Sequence, residues 1–166
     1  MVDMISPYVA LAFLPFCFAI AIWASWSDMK FMKIPNKAGA AMLILWLVLG
    51  LIMVPFNLWL WGWALAVCVL VAGFILNAGG AVGAGDAKFA AAMAPVFIHA
   101  DLRFVLGLYA ACLLGAFAAH RLVGFAPAFR AATPDWQSWT HKDFPMGLAL
   151  SGTLIFYLLA ALLPLF

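Results

Sequence analysis

The chain has 166 residues, of which 69% are hydrophobic and only 8% charged, with a mean hydropathy of +1.17. Soluble domains carry about 25% charged residues, so this composition excludes an ordinary soluble enzyme and points to an integral membrane protein. The net charge of +2 gives no sign of a nucleic-acid partner; there is no glutamate, and the six acids are Asp3, Asp28, Asp86, Asp101, Asp135 and Asp143.

A bilayer core takes roughly 20 residues of apolar helix. The first span is expected over 7–27. Asp3 precedes it with no Lys or Arg, unlike the basic start of a secretory signal, so the segment is read as retained. The second span is expected over 38–54, with Pro55-Phe56-Asn57 as a turn. The third covers 58–76. The fourth, over 86–98, is short: twelve uncharged residues separate Lys88 from Asp101, and Pro95 interrupts them. It suits a short or tilted helix packed inside a bundle, where irregular backbone is tolerated. The fifth covers 102–119 and the sixth 144–165. Residues 121–143 form the one sizeable polar loop. Pro127, Pro134, Trp136 and Trp139 suit a segment along the membrane surface, with tryptophans at headgroup depth. The expected fold is an all-α integral membrane protein, a polytopic bundle of about six transmembrane helices in one domain over 1–166. Five spans and a re-entrant piece are the alternative.

Basic residues set the orientation, because cytoplasmic loops are enriched in Lys and Arg. Lys30, Lys33, Lys37, Lys88, Arg121, Arg130 and Lys142 fall on one side and only Arg103 on the other. Both termini are therefore expected outside, in the periplasm of a bacterial inner membrane. Asp28 and Asp86 then reach the same depth at the cytoplasmic face.

Cys17, Cys68 and Cys112 lie in apolar segments without a Cys-x-x-Cys pair, and read as small buried hydrophobes. His99, His120 and His141 have no ligand-like spacing, so neither a metal nor a cofactor is expected. No serine stands at a recognisable spacing from a histidine.

An ionisable side chain at membrane depth is costly and marks function by default. Gly83-Ala84-Gly85-Asp86-Ala87-Lys88 follows an uncharged stretch from Ala38 to Gly85. Its glycines permit close backbone approach, and Asp86 near a helix start would be favoured as an anion. A phosphate loop does not fit, because the terminal Gly-Lys-Ser/Thr is missing. Taken alone, Asp86 could be a helix cap beside a glycine hinge. The second constellation is Ser27-Asp28-Met29-Lys30-Phe31-Met32-Lys33-Ile34-Pro35-Asn36. Taken alone, Asp28 could pair with Lys30 or Lys33, and Ile34-Pro35-Asn36 could simply turn the chain. Lys88, two residues from Asp86, should not share its face.

An Asp followed after five residues by Ile-Pro-Asn, then Gly-x-Gly-Asp-x-Lys opening a later span, resembles the aspartic prepilin peptidases, a family of intramembrane proteases. Phe144-Pro145-Met146-Gly147 resembles that family's start of its last span. The resemblance implies Asp28 and Asp86 as the catalytic pair, with Gly83, Gly85, Lys88, Pro35, Asn36, Pro145 and Gly147 binding substrate or supporting the site. It implies cleavage of the short basic leader from type IV prepilins or pseudopilins at the cytoplasmic face, with no cofactor. The partners are that substrate's hydrophobic helix and the lipid bilayer. The paired Cys-x-x-Cys motifs of the larger, methylating members are missing, so the chain looks like the short Flp/Tad-type form. Presenilin-type enzymes share Gly-x-Gly-Asp but pair it with Tyr-Asp and Pro-Ala-Leu, whereas here Asp28 follows Ser27. The alternative outside the proteases is a small transporter or channel relaying protons or cations through Asp28 and Asp86.

Overall fold

The computed structural model describes residues 4–165, so Asp3 lies outside it. Helices make up most of the described residues and no strand occurs among them. Five helices are long and apolar enough to cross a membrane: Pro7–Phe31, Asn36–Met53, Phe56–Ala78, Leu102–Gly124 and Gly147–Leu165. The chain is a multi-pass membrane protein.

Pro7 opens α1 (Pro7–Phe31) at its first turn, where a missing N–H costs nothing. The helix runs four residues beyond its expected end, which puts Asp28 inside its last turn rather than after it. Met32 stops it in the left-handed conformation, φ 51°, and donates its N–H to the Asp28 carbonyl at 2.9 Å. Ser27 Oγ donates to the Lys33 carbonyl at 2.8 Å, folding the basic segment back under the helix end. Pro35 then starts the second span from an extended backbone.

That second span is continuous: α2 (Asn36–Leu45), a π-helical turn Trp46–Gly50, and α3 (Leu51–Met53). The widened turn sits where the buried Trp46 side chain exchanges hydrogen bonds with Trp59, each indole N–H donating to the other's carbonyl at 3.1–3.3 Å. The expected Pro55-Phe56-Asn57 turn is shorter than foreseen. Pro55 caps α4 (Phe56–Ala78), and Phe56 and Asn57 are already helical, as a proline at a helix start allows. At the other end of α4, Ala81 N–H bonds to the Leu76 carbonyl and Gly80 N–H to that of Asn77, both at 2.9 Å. This paired closure needs a left-handed residue, which Gly80 supplies at φ 74°.

The expected fourth span is α5 (Ala84–Met93), ending in a 3-10 turn Ala94–Phe97 around Pro95. It is too short to join the five crossing helices and is packed against α2, α4 and α8 (Gly147–Leu162). Asp101 caps α6 (Leu102–Gly124), its Oδ1 accepting from the Arg103 and Phe104 N–H groups. A short α7 (Pro127–Ala132) and a 3-10 turn Gln137–Trp139 carry the polar loop.

The core lies along α8, the most buried helix, with Leu154, Tyr157 and Leu158 packed among Phe13, Cys17, Phe89 and Val96. Tyr157 also accepts the Ile5 N–H at 3.0 Å, holding the chain's start against the bundle. Around this core α1, α2, α5 and α8 form a closed ring, each touching the next. The outer faces of α4 and α6 expose large apolar side chains such as Trp61, Phe74, Leu114 and Leu122, as contact with lipid tails requires.

Candidate active site

The four ring helices each bring one piece of the candidate site to the same end of the bundle. Asp28 sits in the last turn of α1 and Asp86 in the first turn of α5, while Pro35 and Gly147 stand at the starts of α2 and α8.

Asp28 is only 4% exposed. Its Oδ2 accepts the backbone N–H of Gly147 at 2.7 Å, a short bond in a dry setting. The approach depends on glycine: a Cβ at position 147 would lie 2.9 Å from both Asp28 Cβ and Oδ2. Pro145, fully buried, sets the entry to that helix start. Two serines lace the same helices together, Ser25 Oγ donating to the Gly147 carbonyl at 3.4 Å and Ser151 Oγ to the Ala21 carbonyl at 3.0 Å.

Asp86 is half-buried and turns its carboxyl back over the start of α5. Gly83 makes room for it, since a Cβ there would meet Asp86 Oδ2 at 2.5 Å. Asn77 Nδ2 donates to the Val82 carbonyl at 2.8 Å and braces the glycine-rich turn from the α4 side. Outside the five crossing helices, Asp86 has its carboxyl pushed up to about 6 by burial first and then by the charge of Asp28, against the pull of the Gly83 backbone N–H. Burial and a like charge thus both favour the protonated form of Asp86.

Pro35, Asn36, Gly85 and Lys88 share one apolar groove of about 450 Å³ between α2, α4 and α5, along the helix whose first turn carries Asp86. Lys88 is exposed there, facing away from Asp86 as their spacing requires. The predicted residues therefore fall into three adjacent groups: Asp28 with Pro145 and Gly147, Asp86 with Gly83, and the groove.

Among the described residues Asp28 has no lysine partner. Lys30 instead reaches across to Asp135 at 2.7 Å, tying the polar loop to α1 and holding the Asp135 carboxyl below the usual carboxylate range. No cluster of three or more metal-ligating side chains occurs among the described residues. Sequence reasoning missed the roles of Ser25, Ser27 and Ser151. Serines bonded to carbonyls leave no spacing signal.

Two carboxyls gathered at one end of the bundle can differ in protonation, one neutral while the other is ionised. Like charges at short range disfavour double ionisation, so their titrations split. Residues 15–120 match the model of a family described as the type IV leader peptidase family, well over half of the chain, with both acids inside the matched region. No curated protein and no solved structure matches the chain.

Proposed function

The chain belongs to the type IV leader peptidase family, and from that premise we propose that it is an aspartic endopeptidase whose catalytic pair is Asp28 and Asp86. Its substrates in this reading are type IV prepilins or pseudopilins of the Flp type, cut at the cytoplasmic face of the bacterial inner membrane between a short basic leader and the hydrophobic helix. The observation that carries the reading is placement: Asp28, buried in the last turn of α1, and Asp86, half-buried in the first turn of α5, stand at the same end of the ring of helices.

The ionised member of the pair takes a proton from water as that water attacks the scissile carbonyl. The protonated member polarises the carbonyl and then donates to the leaving amine. The Gly147 N–H orients Asp28 through Oδ2 and leaves Oδ1 for water or its partner. The groove lined by Pro35, Asn36, Gly85 and Lys88 would take the apolar stretch of substrate next to the cut, since Gly85 adjoins Asp86 and the rest of the lining is apolar. Seven basic residues at this end of the bundle support a cytoplasmic placement and periplasmic termini.

Cleavage of a prepilin by the purified protein in liposomes tests the proposal. Wild type should release the leader, while Asp28→Asn and Asp86→Asn, each still folded, should release none above background. Full cleavage by either variant would remove that residue from the pair. Loss of a proton or cation flux without any cleavage by wild type would favour the transporter reading.

A further inference from the structure

The polar loop, not used by the peptidase reading, encloses a second recess of about 300 Å³ against the end of α6. Its chemistry is unlike that of the lipid-facing grooves. Arg121, Arg130 and Lys142 line it, and among the described residues none of them has a carboxylate within 4.0 Å. Asp143 is the one acid at the rim, and it faces His141.

Two polar side chains at its back are closed off from solvent: Ser138 is 4% exposed and His120 8%. Neither ring nitrogen of His120 nor Ser138 Oγ has a hydrogen-bond partner among the described residues. Buried polar groups are otherwise almost always paired, so two lining one cationic recess call for a ligand with acceptor oxygens. The surrounding aromatics fix their positions. His120 stacks on Trp139 with ring centres 4.9 Å apart, Arg121 lies over Phe117 at 5.1 Å, and Arg130 lies over Trp139 at 6.0 Å. A guanidinium held flat on a ring keeps its N–H edge free for an anion.

We propose that this recess binds a phosphate group, with Arg121, Arg130 and Lys142 supplying the charge and Ser138 Oγ–H and His120 N–H donating to its oxygens. The phosphate belongs to an anionic lipid headgroup or to a soluble phosphate ester. The recess sits at a transmembrane helix end among Trp136 and Trp139, the depth at which headgroup phosphates lie, and basic pockets at such depth suit anionic lipids. The bound group would brace the loop that Lys30 ties to α1 and that ends at Gly147. The site stands on its own residues and does not depend on the protease assignment.

Native mass spectrometry of the purified protein, titrated with phosphatidylglycerol or phosphatidylcholine, reads the site directly. One phosphatidylglycerol should be retained per chain with roughly ten-fold or greater preference over phosphatidylcholine, whose choline ammonium the three cations of the recess repel. Arg121→Gln with Arg130→Gln should abolish that preference, while Arg103→Gln, at the far end of α6, should keep it. Ser138→Ala, too small a change to unfold the loop, should weaken retention several-fold. Retention that glycerol 3-phosphate does not displace assigns the phosphate to a lipid. Direct binding of glycerol 3-phosphate, lost in the same variants, assigns it to a soluble ester. Equal retention of both lipids with no glycerol 3-phosphate binding, or equal binding by wild type and variants, would overturn the site.

Discussion

Gly147 donates its backbone N–H to Asp28 Oδ2 at 2.7 Å, across 119 positions of sequence, and leaves no side chain in the way of that carboxyl. The contact joins the end of one crossing helix to the start of another, so the position of the acid is set by the packing of α1 on α8. Ser25 and Ser151 reinforce the same seam.

Gly147→Ala separates this arrangement from mere helix packing. The added Cβ would sit 2.9 Å from Asp28 Oδ2, so the carboxyl must swing off its donor. Loss of a hydrogen bond to a charged group is worth about 1.5–3 kcal/mol, so prepilin cleavage should fall by roughly ten-fold or more. Helical content and detergent stability should change far less than activity. Undiminished cleavage would show that the Gly147 bond does not orient Asp28.

The Asp86 carboxyl, at about 6, keeps its proton where an ordinary aspartate near 3.9 has lost it. A reaction that needs one protonated and one ionised acid therefore weakens as pH rises through that value. The kcat/KM profile should show an alkaline limb with an apparent pKa well above the ordinary carboxylate range, and this value belongs to the pair. The sign for stability is the same: the fold holds this proton more tightly than the unfolded chain, so stability is lost as pH rises from about 4 through about 6. A profile flat to about pH 9 would argue against a shared proton.

The crossing helices were legible because apolar length alone defines them, and Asp28 and Asp86 stood out because so few charges surround them. Helix ends were less legible. α1 continues past Ser27 because Met32 and a Ser27 hydrogen bond close it further on, a contact that no hydropathy window registers. The turn before α4 shrank because Pro55 serves as a cap. The fourth segment was correctly read as short and broken at Pro95, but its length leaves it outside the set of crossing helices. Lys30 with Asp135 joins residues distant in sequence, and nothing in their local pattern foretells the pairing.

Trp46 occupies space that Gly62 vacates. A Cβ at position 62 would lie 2.7 Å from Trp46 Cε2, in a site where the indole is fully buried. Overpacking of this kind costs about 1–3 kcal/mol, so Gly62→Ala should lower the thermal midpoint clearly. Trp46→Phe alone should also destabilise, because it removes the indole N–H bond to Trp59. Combined with Gly62→Ala it should cost less than the sum, and a double-mutant cycle measures the difference. Strict additivity would show that the two residues do not share this space.

Ser27 is 5% exposed, and its Oγ donates to the Lys33 carbonyl at 2.8 Å, closing the turn that contains Met32 at φ 51°. Left-handed backbone is unfavourable for methionine, so this hydrogen bond helps to hold a conformation the residue would not choose. The turn also spaces Asp28 from Pro35 and Asn36 in the groove. Ser27→Ala should cost about 1 kcal/mol of stability and raise KM for prepilin more than it lowers kcat, since the groove moves while the acids stay. Ser27→Thr keeps the donor and should restore most of the loss. Met32→Gly removes the backbone strain and should offset Ser27→Ala in the double variant. A fall in kcat with KM unchanged would instead put the turn's influence on Asp28.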